Sequence, residues 1–163
     1  MILGVVGDTH NRLSNVEKII DIFNEKKVDK VIHTGDITQA KTLEKFCKLN
    51  CPLIAVFGNN DLKEIGLKRT SEKYGFDLQN PPLFKTIDNK NIVILHEPYE
   101  VKELIREHQD LDLILHGHTH KYTDNEEEGV RIFNPGECAG MLEGKNAIGL
   151  IELDQLKIRR IFF

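Results

Sequence analysis

The chain has no apolar run longer than about six residues, no basic block, no low-complexity stretch and no C-x-x-C pair. A membrane-crossing helix needs about 20 consecutive apolar residues, so no membrane role is expected. The 22 basic and 26 acidic residues are interspersed and leave a net charge of −4. That argues against bulk nucleic-acid binding, which relies on a concentrated positive surface. Three cysteines, an odd number without a C-x-x-C pair, fit a reducing compartment better than a disulfide framework. The sequence runs from Met1 directly into an apolar segment, with no basic flank and no small-residue cleavage site. No signal peptide is expected, and the cytoplasm is the expected location.

What remains describes an ordinary globular chain. With 163 residues, 40% apolar and 29% charged, one domain spanning residues 1–163 is expected, large enough to bury about two-thirds of its unfolded surface. The first half alternates between two periods. Residues 2–7 predict a strand and 14–26 a helix with Val16, Ile19, Ile20 and Phe23 on one face, opened by a Ser14–Glu17 capping box. A strand over 29–34, a helix over about 38–49 with Leu43, Phe46 and Cys47 inward, and a strand over 53–57 follow. This β-α-β-α-β order implies right-handed crossovers and a parallel core. A short helix ending at Tyr74 with Gly75 as its stop, a hairpin over 84–88 and 91–95, a helix beginning at Pro98 and a strand over 111–115 come next. Short strands near 121–124, 130–133, 146–153 and 156–162 predict an antiparallel finish.

The chemistry lies at the ends of the apolar runs. Asp8 and His10 follow ILGVVG, Asp36 follows VIHTG, Asn59 follows LIAVFG, His96 follows NIVIL, and His118 and His120 follow LDLIL. Taken singly, Asp8 or Asp36 reads as a helix cap and Asn59 as a turn residue. Together, five segments ending in ligands of one class meet at one edge of an open α/β sheet. Seven ligands exceed what one tetrahedral ion takes and suit two ions sharing a carboxylate. A nitrogen and oxygen set without thiolate fits manganese, nickel, zinc, iron or cobalt, with Mn2+ or Ni2+ expected first, and disfavours calcium or an iron–sulfur cluster.

The ordered set Asp8-x-His10, Gly35-Asp36, Gly58-Asn59-x-Asp61, His96 and Gly117-His118-x-His120, with Asn134-Pro135-Gly136 after it, resembles the calcineurin-like metallophosphoesterases. It looks most like their small single-domain phosphodiesterase branch, the YfcE-type proteins. The resemblance implies an α/β fold of two mixed β-sheets packed face to face and flanked by helices, a four-layer α/β/β/α sandwich. It also implies that Asp8, His10 and His120 hold one divalent ion and that Asn59, His96 and His118 hold another. Asp36 would bridge the ions and Asp61 would orient a neighbouring group. Three positions depart from the family pattern. Asn60 stands where histidine is frequent, Glu97-Pro98 follows His96 where glycine is common, and Glu137 replaces a small hydroxyl residue. Asn60 carries no titratable proton, so it cannot act as a general acid.

The implied activity is hydrolysis of a small phosphodiester by attack of a metal-bound hydroxide, with Asp36, Asn60 and Asp61 as the catalytic group. Two rivals are a phosphomonoesterase on the same site and a non-catalytic scaffold like the retromer subunit that shares this fold. That subunit lacks several metal-site histidines, whereas His10, His96, His118 and His120 are all present here. Dimers or tetramers are common among similar small proteins, so a homo-oligomer is compatible with this reading. His33, His108 and His116 read as structural histidines, Cys47 as core, Cys138 as a bystander near the site, and Glu126 to Glu128 as a solvated hairpin tip.

Overall fold

The computed structural model describes residues 1–163 except Glu143. Two mixed sheets pack face to face. From edge to edge the first holds Lys157–Phe162, Ala147–Glu152, Ile2–Val6, Lys30–His33, Leu53–Val56 and Asp77–Gln79, and the second Leu83–Ile87, Lys90–Ile94, Leu113–Leu115, Val130–Asn134 and Thr123–Glu127. In the first sheet β1 (Ile2–Val6), β2 (Lys30–His33), β3 (Leu53–Val56) and β4 (Asp77–Gln79) run parallel. The hairpin of β10 (Ala147–Glu152) and β11 (Lys157–Phe162) adds antiparallel to β1. In the second sheet β6 (Lys90–Ile94), β7 (Leu113–Leu115) and β9 (Val130–Asn134) are parallel, edged by antiparallel β5 (Leu83–Ile87) and β8 (Thr123–Glu127).

Helices α1 (Leu13–Glu25), α2 (Ala40–Lys45) and α3 (Leu67–Tyr74) cover the first sheet, and α4 (Val101–Glu107) covers the second. Three buried clusters are the three interfaces of a four-layer sandwich. Val16, Ile19, Ile20 and Phe23 of α1, with Leu43 and Leu67, pack on Val6, Val31 and Ala55. Leu3, Val5, Ile32 and Val56 face Ile92, Ile94, Leu113, Leu115 and Phe133 across the middle. Val101, Leu104 and Ile105 of α4 pack on Val93, Ile114 and Ile132. Alternate strand residues therefore serve opposite interfaces, which is why these strands read as continuous apolar runs. Phe23 is fully buried, and its truncation to alanine would cost about 3–5 kcal/mol. Among the described residues, no helix is long and apolar enough to cross a membrane.

Several local expectations are corrected. No side chain caps α1: the helix begins at Leu13, with Arg12 at its cap position. Arg12 Nε donates to Ala139 O at 2.8 Å and Arg12 N to Thr9 O, so the site loop sets where this helix starts and the Ser14–Glu17 box never forms. The second helix is shorter than 38–49, because Thr38 has φ 74° and its amide donates to Asp61 Oδ1 at 2.6 Å. Its last turn tightens to a 3₁₀ helix over Phe46–Lys48. Each residue there advances about 120°, not 100°, which leaves Phe46 buried and turns Cys47 to solvent. Strand β4 was not anticipated. The antiparallel finish holds for both hairpins, but they join different sheets and β9 lies parallel to β7.

Candidate metal centre

All five segments that carry the candidate ligands leave the carboxyl ends of parallel strands: β1, β2 and β3 in one sheet, β6 and β7 in the other. Their side chains close a ring. Asp8 Oδ1 lies 3.7 Å from His120 Nε2, which is 3.5 Å from His10 Nε2. His10 Nε2 is 3.9 Å from Asp36 Oδ2, and that oxygen is 3.5 Å from His96 Nε2. His96 Nε2 meets Asn59 Oδ1 at 2.9 Å, which lies 3.1 Å from His118 Nδ1. The His118 amide closes the ring by donating to both Asp8 oxygens at 3.0 Å.

The loops pay for this convergence in backbone strain. Asp8, His10, Asp36, His118 and His120 all have φ between 44° and 66°, a left-handed region that costs most residues about 1–2 kcal/mol. Such outliers persist where surrounding contacts over-determine them and cluster at functional sites. Here the contacts include Asp8 N donating to Gly35 O at 3.0 Å and His10 N to Asp36 O at 2.8 Å, which lock the first loop to the second. Gly58 lies under Asp36: a Cβ there would sit 2.2 Å from Asp36 Oδ1 and 2.3 Å from its backbone nitrogen.

The titrations follow from burial and neighbours. Burial pushes the Asp8 carboxyl up to about 7, partly opposed by His96 and by the His118 amide. Burial pushes Asp36 the same way, but bonds from His96 and from the side chain and amide of Asn60 hold it well below the usual carboxylate range. Burial lowers His96, yet Asp36, the Thr34 carbonyl and Asp8 together raise it. His96 Nδ1 is 2.9 Å from Thr34 O; a carbonyl only accepts, so Nδ1 carries a proton and Nε2 is left to face the ring. His120 is lowered by burial and by nearby His10.

Asp61 and Asn60 act on the loops and on Asp36. Asp61 is buried and raised by that burial. Its Oδ2 accepts from Gly58 N at 2.7 Å and Ile37 N at 3.3 Å, and its Oδ1 accepts from Thr38 N. Asn60 donates to Asp36, from its amide to Oδ1 at 2.9 Å and from Nδ2 to Oδ2 at 2.8 Å. His33 lies beneath, its Nδ1 accepting from Gly35 N at 3.2 Å and its Nε2 bonded to Thr9 Oγ1 at 2.9 Å. Burial lowers it to about 3 and also lowers His116.

Glu137 is the site residue whose position the sequence did not disclose. It lines an open cleft of about 450 Å³ with His10, Asp36, Asn60, His118 and His120. Its carboxylate accepts from the amides of Gly140, Met141 and Leu142, which holds the apolar side chains of Met141 and Leu142 at the lip. Only its place after Asn134-Pro135-Gly136 could have signalled this. Asn134 ties that loop to the histidine loop, donating to Gly117 O at 3.1 Å and accepting from Gly136 N at 2.9 Å.

The donor set fits divalent metal. Ligand atoms of Asp8, His10 and His120, and of Asp8, Asp36 and His96, lie within 4.8 Å of one another. Imidazole nitrogens this close to each other and to carboxylates are stabilised by a shared cation.

Residues 1–156 match the sequence model of the calcineurin-like phosphoesterase superfamily domain. A phosphodiesterase of Methanocaldococcus jannaschii is 33% identical over 163 residues, covering 99% of this chain and 98% of its own. The solved structure of an archaeal phosphodiesterase superposes with a TM-score of 0.91 at 33% identity, covering 100% of both chains. The YfcE phosphoesterase from E. coli shares the fold with a TM-score of 0.69 at 19% identity, over 99% of this chain and 98% of that one. The chain belongs to the calcineurin-like phosphoesterase superfamily.

Proposed function

We propose that the protein is a metal-dependent phosphodiesterase working through two divalent ions. Asp8, His10 and His120 would hold one ion and Asn59, His96 and His118 the other. Asp36 would bridge them, and the observation that carries this is its position: Asp36 Oδ2 lies 3.9 Å from His10 Nε2 and 3.5 Å from His96 Nε2, between the two sets. Asp8 also belongs to both compact ligand groups, but burial raises its carboxyl, whereas Asp36 is held well below the usual carboxylate range. Asp36 is the firmer anion and the better bridge.

Bound ions would activate a water nucleophile and neutralise charge on the phosphoryl group. Among the described residues lining the cleft there is no Lys or Arg, so that neutralisation would fall to the metals. Asn60 helps keep Asp36 ionised, Asp61 fixes the backbone beneath it, and the Thr34 carbonyl sets the His96 tautomer. Kinship along the whole chain to a phosphodiesterase supports diesters as substrates. Three unpaired cysteines suit a reducing cytoplasm.

The test is metal stripping and reloading. Chelation should abolish hydrolysis of bis(4-nitrophenyl) phosphate. Mn2+ or Ni2+ should restore it better than Mg2+, because four imidazoles favour borderline ions over hard ones. Elemental analysis should find two ions per chain at full activity. Full activity with one ion removes the two-ion centre, and faster turnover of 4-nitrophenyl phosphate makes the protein a monoesterase.

A further inference from the structure

Beside the metal cleft, on the side of Asn59 and His96, a second cavity of about 250 Å³ opens between the loop after β4 and the 3₁₀ turn after β6. Its walls are Phe57, Leu62, Pro81, Pro82, Leu95 and Tyr99, and its floor is Asn59 and His96 themselves. We infer that this pocket binds one ester substituent of the diester, and that the substituent is an uncharged ring, aryl or heterocyclic. The inference rests on the phosphodiesterase reading and names the class of group that reading leaves open.

Four observations carry it. The floor is shared with two candidate ligands of one ion, so a group in the pocket is joined directly to a phosphoryl group at that ion. The space exceeds the roughly 150 Å³ that holds a benzene ring in an apolar cavity and is smaller than the ~300–1,000 Å³ of sites for larger ligands. Leu62 and Tyr99 are 71% and 73% exposed, so a ring between them removes apolar surface from water at about 25 cal/mol per Å². Charge selects against anions: Glu97 and Glu100 stand at the rim, and no Lys or Arg occurs among the described lining residues. A second phosphate or a carboxylate would meet two acidic side chains and no counter-charge, whereas a neutral ring meets apolar walls.

Tyr99 couples the pocket to the centre. Its ring stands edge-on to His118 with centroids 5.9 Å apart, and its hydroxyl is 3.3 Å from His118 Nε2. The wall that touches the ring of the substrate thus also steadies a candidate ligand.

Titration calorimetry of the metal-loaded full chain tests this without turnover, using phenylphosphonate, methylphosphonate and 4-carboxyphenylphosphonate. Phenylphosphonate should bind about tenfold more tightly than methylphosphonate, and the carboxylate should erase that advantage. Leu62→Asp should bring the phenyl-to-methyl ratio close to one, while Leu62→Met keeps it; Leu62 faces solvent, so neither change threatens the fold. A phenyl preference that disappears in Leu62→Asp supports the pocket whatever the turnover. Diester turnover with a ratio near one in the wild type, or with a ratio untouched by Leu62→Asp, overturns the pocket and leaves the phosphodiesterase reading standing.

Discussion

Asn60 grips both oxygens of Asp36, its backbone amide on Oδ1 at 2.9 Å and its side-chain Nδ2 on Oδ2 at 2.8 Å. Position 60 is therefore given to holding a carboxylate between two candidate ligand sets. This changes what the residue is expected to do. A partner that orients a ligand acts on metal affinity, typically by 10- to 100-fold, whereas a general acid acts on the leaving group by about 10²- to 10⁴-fold.

Asn60→Ala should raise the metal Kd by about 10- to 100-fold and leave the slope of log rate against leaving-group pKa unchanged at saturating metal. The slope itself should be steep in both proteins, because neither has a titratable donor at this position. Saturation is essential, since metal loss would imitate a catalytic defect. A variant with normal metal affinity and an altered slope would return Asn60 to the leaving group.

Asp36→Asn should be the most damaging conservative change in the cleft. The amide removes the negative charge and one good ligand oxygen, and a loss of about 10²-fold or more is expected. Turnover and metal content are measured together. A protein that binds two ions normally and turns over like the wild type removes the bridging role.

Gly58→Ala tests the same carboxylate from below. A Cβ at position 58 meets Asp36 Oδ1 at 2.2 Å and Asp36 N at 2.3 Å, and the second of these is backbone that cannot rotate away. Asp36 must shift, and a displacement of about 1 Å can cost about 10²-fold in rate. The contact lies in the loops that follow β2 and β3, outside the strands themselves, so circular dichroism should stay near wild type while activity falls. Full activity in Gly58→Ala would show that the loops are looser than their contacts imply.

Meeting of the seven side chains was legible because apolar runs mark buried parallel strands, and parallel strands end at a common edge. How they meet was not. The left-handed φ angles of Asp8, Asp36 and His118 arise from contacts between loops far apart in sequence. Other contacts between distant segments override local helix signals, at Arg12 with Ala139 and at Thr38 with Asp61. Strand β4 is three residues of mixed polarity, Asp77, Leu78 and Gln79, paired by backbone to one edge of β3, and so short a segment shows no period. Glu137 bonds amides three to five residues ahead, a relation that residue type alone does not announce.

His33 should set part of the acid sensitivity of the fold. Burial lowers its imidazole to about 3 from an ordinary value near 6.5, and it sits neutral between Gly35 N and Thr9 Oγ1. The folded state thus refuses a proton that the unfolded chain accepts. The stability it contributes is complete above pH 6.5 and is lost as pH falls from there towards 3, at up to about 1.4 kcal/mol per pH unit. Asp8 works in the opposite direction in metal-free protein. Its carboxyl is raised from 3.8 to about 7, so its contribution is complete below pH 3.8 and declines as pH rises to 7. Only the difference between wild type and a His33 variant isolates His33. His33→Gln keeps a neutral polar group there and should be less stable than wild type at pH 8. Between pH 6.5 and 4 that gap should shrink, because the variant has no proton to refuse. Urea midpoints of the chelated proteins across this range provide the measurement. Parallel curves for the two proteins would mean that the imidazole titrates alike in the folded and unfolded chains, and the burial argument would fail.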